Sequence, residues 1–441
     1  MCPHRNFIPD RRRGAAVFVF WREVLGCKLR SRGYLFTMLK RRATVRKRPR
    51  KSGGIPSWVF VVVAVLSLAG AGIIGWSIFH PKGEKTQPAQ TVPKSGGDFL
   101  SKIDGAVEQF RVDMGIPKKY VYVRKKEEIP RFPGERIREV TIRVSKNFPP
   151  AFVNYVFQRA IKDSGGTIID CVEKSSGGKF LIDIGYGEVL THRVRIIRSS
   201  KVPIEPGYVA LLIDDFGYYP VKTAKKFFDL RIKFTAAVLP NGKYTSYVLN
   251  ELDNYPDIER FVHIPMEPKG YPEADPGPNA IMVSYDDRKI RELVERHLSA
   301  VPGAVGANNH MGSRATENTR VMYQVLRTIR DAGFFFVDSR TTPYSVAEDI
   351  ARKIGVPATH IDHIIDPPGI SPAEIESRLY EYCLQARRVP AMIINCHASD
   401  TVAKILEKDV PILKRYGIEF VPVSMAFERK LKWQRAKRKG G

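Results

Sequence analysis

Asp214 and Asp215 stand side by side after the apolar run 209–213, and five further segments end in polar residues of the same kinds. His263 closes one; Asn308, Asn309 and His310 close another; Asp338 with Ser339, Asp366 and His397 close the rest. Carboxylates and neutral imidazoles are the donors that hold a zinc-like divalent cation, and three of them leave a coordination position open for water. A bound metal lowers the pKa of that water from about 15.7 to about 7 and polarises an amide or ester carbonyl. A neighbouring carboxylate can take a proton, and an imidazolium can give one to a leaving amine. Metal-assisted hydrolysis is therefore the chemistry these residue types offer. Each also has an ordinary structural reading. An Asp pair after a strand caps helices and forms turns, and His263 beside Pro265 fits a hydrogen-bonded core imidazole. His192, His297, His360 and His363 read as structural. Cys396 and His397 adjoin on a strand, face opposite sides and do not make a nucleophile pair; Cys396 reads as a small buried hydrophobe.

For these residues to act together, the chain must bring its strand ends to one side. After Pro206, strand-like runs at 209–213, 234–239, 260–264, 304–307, 334–337, 360–365, 391–395 and 419–423 alternate with helical patterns, among them 288–298, 319–332 and 372–388. That alternation predicts a parallel sheet, either a barrel or a doubly wound layer, with all strand C-termini facing one way.

Four strings occur in order along this half: Ile213-Asp214-Asp215-Phe216-Gly217, His263-Ile264-Pro265-Met266-Glu267-Pro268, Asn308-Asn309-His310-Met311-Gly312-Ser313-Arg314 and Asp338-Ser339-Arg340-Thr341. Residues 206–427 thereby resemble the divergent polysaccharide deacetylases, part of the NodB-like group. The resemblance implies a distorted (β/α)7 barrel and a hydrolase that removes acetyl groups from amino-sugar polymers with a divalent metal, zinc being the natural candidate. It implies Asp214 as general base, Asp215, His263 and His310 as metal ligands, and His397 as general acid. The second imidazole of the wider group's i, i+4 motif is replaced here by Glu267, and His310 takes its place. Glu267, Asn308, Asn309, Asp338 and Ser339 are left as substrate-binding or ligand-orienting residues. The same resemblance leads one to expect an Arg-Asp pair in the sixth strand and Gly-His-Pro at the seventh. This chain has Ile361-Asp362 and Cys396-His397-Ala398 instead.

The rest of the chain bears on location. The net charge of +26 is concentrated at the ends, with 16 Lys/Arg against Asp10 and Glu23 in residues 1–51 and seven Lys/Arg against one acid in the basic tail 428–441. Such terminal basicity argues for membrane topology over nucleic acid, and no aromatic-interleaved basic stripe appears. Residues 57–79 (SWVFVVVAVLSLAGAGIIGWSIF) are uncharged and long enough for a hydrocarbon core of about 30 Å. With Arg46, Lys47, Arg48, Arg50 and Lys51 before them, they read as a single transmembrane helix in the inner membrane. The basic N-terminus 1–56 then lies in the cytoplasm and the later domains in the periplasm. A cleaved signal peptide is the alternative. Residues 1–37 lack a convincing pattern, and Met38 makes a natural start. Residues 80–97 are a polar linker. Residues 98–200 pattern as a small α+β domain without clustered His, Asp or Cys, suited to a spacer or docking role. The five cysteines are too few and scattered for a disulfide framework or a Cys-based zinc site. A non-catalytic envelope factor that binds glycan or protein on the same fold is the competing reading of function; another metal hydrolase of amides or esters is a third.

Overall fold

The structure is a computed structural model that describes residues 96–440, with side chains through residue 437. The basic N-terminus, the apolar run 57–79 and residues 80–95 of the linker lie outside the described residues. Among the described residues no helix is long and apolar enough to cross a membrane.

The described chain opens with α1 (Gly96–Asp113), β1 (Val121–Ile129), β2 (Phe132–Ser145), α2 (Pro150–Asp163), β3 (Thr167–Lys174), β4 (Lys179–Tyr186) and β5 (Val189–Ser199). The strands form one sheet in the order β1-β2-β5-β4-β3, in which only the β2–β5 pair is parallel. Phe99, Ile103, Val107 and Phe110 recur at helical spacing on α1 and meet the alternating Val140, Ile142 and Val144 of β2 in a single core. Phe157 of α2 packs edge-on against Phe110 at 5.1 Å. β1 has no counterpart in the sequence reading. Its residues VYVRKKEEI are exposed at most positions, so it lacks the apolar alternation that marks a half-buried strand.

The second half runs β6 (Gly207–Phe216), α3 (Val221–Phe228), β7 (Thr235–Val238), α4 (Thr245–Leu252), β8 (Glu259–Met266), α5 (Asp287–Ser299), β9 (Ala304–Met311), α6 (Thr319–Asp331), β10 (Phe335–Asp338) and α7 (Ala347–Ile354). It continues with β11 (Ala358–His360), β12 (His363–Ile364), α8 (Pro372–Gln385), β13 (Met392–His397), α9 (Asp400–Arg415), β14 (Ile418–Phe420) and α10 (Val423–Gly440). All these strands are parallel, in the order β11-β10-β9-β8-β7-β6-β13-β12, with β14 also on β6. Only Ile361 and Asp362 separate the two edge strands, and a trans chain advances at most about 3.6 Å per residue. The sheet must therefore curl until its edges nearly meet. Ile361 N donates to Asp338 O at 3.1 Å, and Asp362 N donates to Ile393 O at 2.8 Å. The expected sixth strand 360–365 is thus divided, its first part paired with β10 and its second with β13.

Alternation along β6 separates two cores. Val209, Leu211 and Ile213 pack against the surrounding helices, while Ala210 and Leu212 face the concave interior with Ala237, Phe261, Val337 and Ile393. Val423 and Ala426 at the start of α10 join that interior core. The expected strand 419–423 is accordingly shorter, and the basic tail continues a helix whose first turn seals the N-terminal end of the curled sheet.

The described residues fall in one compact unit. Arg388 makes a two-pronged ion pair with Asp113 at 2.7 and 2.8 Å, and Arg387 donates to the backbone oxygens of Asp113, Glu205 and Tyr416. Tyr416 also lies 4.8 Å from Phe148 and 5.0 Å from Phe152 between ring centres. The first sheet is fixed behind α8 and α9.

Candidate metal centre

The C-terminal ends of β6, β8 and β9 deliver the first three groups. A regular strand would send Asp214 and Asp215 to opposite faces. Here the β6–β7 register slips between Ile213 and Phe216, and Asp215 takes a left-handed φ of 65°. The irregularity lets both carboxylates reach the same pocket. His263 and His310 need no such device. His263 pairs with Asn308 and Pro265 with His310 across β8–β9, and positions 263, 308 and 310 share the concave face. Met311 and Arg340 also have positive φ, so unusual backbone gathers where β6, β9 and β10 end.

Asp215 Oδ1 lies 3.3 Å from His263 Nε2 and 3.1 Å from His310 Nδ1, and the two nitrogens are 3.2 Å apart. Tetrahedral coordination with bonds near 2.1 Å would space its donors at about 3.4 Å. Asp215 Oδ1 is also buried and accepts no hydrogen bond. An orphaned carboxylate oxygen between two ring nitrogens fits one divalent ion, with Asp215, His263 and His310 as its holders. The charges point the same way. Burial opposes ionisation of Asp215, but His263 and His310 beside it hold its carboxyl far below the usual range. Burial would make His263 less basic, yet the carboxylates of Asp214 and Asp215 raise it. The pocket demands positive charge.

Asn308 connects this set to Asp214. Its Nδ2 donates to Asp214 Oδ1 at 2.9 Å and to Ser339 Oγ at 3.1 Å, which leaves its Oδ1 to accept from His263 Nδ1 at 2.9 Å. His263 is then protonated on Nδ1 and turns the lone pair of Nε2 toward Asp215. Asp214 is 3% exposed; burial raises its pKa, and His263 and His397 partly offset that. His397 is the register partner of Asp214 on β13. Its Nδ1 faces Asp366 Oδ1 at 3.2 Å, and its backbone N–H donates to Asp366 Oδ2 at 3.1 Å. Burial would lower its pKa, but the Asp366 carboxylate, helped by Asp214 and Asp215, lifts it to about 9. The arrangement can hold a cation, accept a proton on one side and donate one on the other.

Residues 211–427 match the family model described as divergent polysaccharide deacetylase. Those residues belong to this family. The chain is 26% identical over 208 residues to YibQ of Escherichia coli K12, covering 47% of this chain and 64% of that protein. It is 29% identical over 148 residues to a protein of Haemophilus influenzae, covering 34% of this chain and 51% of the other. The chain thus spans between half and two thirds of the curated relatives it matches. A crystal structure of an uncharacterized protein from Agrobacterium tumefaciens C58 aligns at 24% identity with a TM-score of 0.47, over 50% of this chain and 89% of that one. The curled, all-parallel sheet with its flanking helices bears out the expected α/β class.

Within this deacetylase-family domain, three residues expected near substrate or ligands are engaged elsewhere. Glu267 accepts from Val283 N at 2.6 Å and pairs with Arg314 at 2.8 Å, because it lies past the end of β8 among the loops. Asp338 accepts from Arg340 N at 2.8 Å; its neighbour Val337 takes the concave face, so Asp338 points outward. Asn309 binds Ser339 N and Met311 O and shapes the loop behind His310. Ser339 reaches the site through Asn308. Two contributors were missed. Asn395 donates to Asp214 Oδ2 at 2.8 Å, and Asp366 pairs with His397. Asp366 was visible as a strand-end carboxylate without a role; Asn395 closed the run 391–395, and only its parity with His397 pointed inward. Cys396 is buried among apolar residues, its thiol pushed well up by burial. His192 and His297 are buried, His360 bonds Glu348 at 2.9 Å, and His363 stacks on Tyr382 at 3.9 Å.

Proposed function

We propose that this chain is a metal-dependent hydrolase that removes N-acetyl groups from amino-sugar polymers outside the cytoplasm. The observation that carries the reading is the meeting of Asp215, His263 and His310 within 3.3 Å of one another, with Asp214 and His397 at the neighbouring strand ends. Two nitrogens and one oxygen suit zinc among the common divalent ions. When bound, such an ion supplies Lewis acidity that makes water a nucleophile at neutral pH and polarises an acyl carbonyl. Asp214, anchored by Asn308 and Asn395, takes a proton from the attacking water. His397, protonated near neutral pH, gives a proton to the departing amine while Asp366 holds its ring. Water and amide become carboxylic acid and amine: one water proton goes to Asp214, the other stays on the acid and is lost to solvent, and the amine's new proton comes from His397. The family's description as polysaccharide deacetylase supports a carbohydrate polymer as the substrate class, and an N-acetylated amino sugar is the form that offers an amide to cleave. Action outside the cytoplasm is supported by the apolar run 57–79 and the basic residues that precede it.

The test uses the purified full chain. Stoichiometric zinc should be lost in Asp215→Asn and in His310→Ala, and acetate should appear when N-acetylated oligosaccharides are offered to the zinc-loaded protein. Zinc binding with no acetate released from a broad panel would leave the domain as a glycan- or partner-binding envelope factor, or as a hydrolase of other amides or esters. No zinc bound by carefully prepared wild type would remove the hydrolase reading altogether.

A further inference from the structure

Asp214 lies beside the candidate ligand set without joining it, and two side-chain amides account for that. Asn308 Nδ2 holds Oδ1 at 2.9 Å, and Asn395 Nδ2 holds Oδ2 at 2.8 Å. Both amides are themselves oriented. Asn308 is fixed by Ser339 and His263, and Asn395 donates as well to Leu212 O at 3.1 Å. Asp214 Oδ2 is only 3.7 Å from His263 Nε2. A carboxylate that close needs little more than rotation about its last torsion to reach the cation, because that torsion is soft. A fourth protein ligand would fill the place where water must enter. Nothing in the apolar neighbours of Asn395, which are Ile393, Ile394 and Cys396, calls for a buried amide there.

We infer that Asn395, with Asn308, is a neutral clamp that keeps Asp214 out of the metal's coordination sphere and thereby keeps a position open for water. The clamp rests on the metal-site reading above and adds a positioning role for Asn395. It does with two uncharged donors what a guanidinium fork would do with charge. It therefore adds no cation to a pocket that must receive one.

Cobalt(II) is the probe, added to the metal-free full chain, because its visible absorption reports coordination number. Wild type should give the intense bands of a four-coordinate site with one exchangeable position. Asn395→Ala should bind cobalt as tightly or up to about tenfold more tightly, with shifted bands of undiminished intensity that no longer respond to added azide, as Asp214 takes the place of water. Acetate release, where wild type shows it, should fall about 100-fold in kcat at unchanged KM. Asn395→Asp keeps the volume, loses the donor and should behave alike if the alanine variant does not fold. The double variant Asp214→Asn, Asn395→Ala should regain the wild-type spectrum, since no carboxylate is left to move; a purely structural role for Asn395 predicts no such return. Folded single variants with wild-type cobalt spectra and affinities overturn the clamp. Wild type that binds no cobalt removes the metal site itself, a separate failure.

Discussion

Replacing Asp366 by Asn tests whether His397 owes its charge to that carboxylate. His397 has a folded pKa of about 9 against an ordinary 6.5, with Asp366 the strongest force raising it. A shift of that size corresponds to about 3 kcal/mol of preference for the protonated ring. The His397 side chain is 34% exposed, so solvent screening reduces what survives to roughly 1–2 kcal/mol. The sign follows from proton linkage. A histidine whose folded pKa exceeds its unfolded value stabilises the fold fully below about 6.5, and that contribution is lost as pH rises through about 9. The amide introduced by Asp366→Asn would keep an acceptor for the His397 backbone N–H but would lack the charge. Urea unfolding of the metal-free protein, followed by circular dichroism, should therefore show Asp366→Asn less stable than wild type by about 1–2 kcal/mol at pH 6. The gap should narrow by most of that amount at pH 10. NMR titration of the His397 ring should show its pKa falling toward the ordinary value. A stability gap that does not change with pH, together with an unmoved titration, would refute the argument.

Two further perturbations test other parts of the fold. His297 is fully buried, its Nε2 hydrogen-bonded to Asn279 O at 2.9 Å, and burial pushes its pKa down to about 4. The unfolded chain binds this proton below about 6.5 and the native chain does not, so up to about 3 kcal/mol of stability should vanish between pH 6.5 and 4, and His297→Gln should flatten that slope in urea midpoints. Arg388→Ala leaves the buried Asp113 carboxylate with Gln109 as its remaining side-chain donor; a loss of about 2 kcal/mol is expected, held below the usual cost of breaking a buried pair because Arg388 is 39% exposed. Thermal melting measures it, and a shift under 1 °C would show that the joint between the two sheets does not depend on the pair.

What the sequence disclosed follows from which physical signals are local. The alternation of apolar runs and helical patterns located β6, β8, β9 and β13 to within a few residues, because each is a continuous buried run ending in a polar group. The same ends carried Asp215, His263 and His310 among other polar residues; the family resemblance singled out these three, and they do meet. The misses are of another kind. β1 is exposed and charged, so periodicity does not mark it. α9 carries Pro411 in its interior, which reads as a helix breaker although Val402, Leu406 and Leu413 still bury a common stripe. Glu267 and Asp338 have the right chemistry, but one sits beyond its strand and the other on the wrong parity. Asn395 had the right parity, and its role depends on Asp214, 181 residues away.

The sixth strand shows how one departure from the family pattern can be absorbed by another part of the fold. Where an Arg-Asp pair was expected, Ile361 turns into the interior core and Asp362 accepts from Ile393 N at 2.7 Å and from Lys430 Nζ at 2.6 and 2.8 Å. Asp362 thus ties together the strand that closes the sheet, β13 with its Asn395 and His397, and the helix that seals the floor. A cation still meets this acid, but it comes from α10 and from the side opposite the candidate site. Asp214, left without a guanidinium, is held by the amides of Asn308 and Asn395. Both contacts fall on β13. Its backbone is anchored by Asp362 at Ile393, two residues before it presents Asn395 to Asp214, so the acid at 362 and the amide at 395 both act through the placement of one strand.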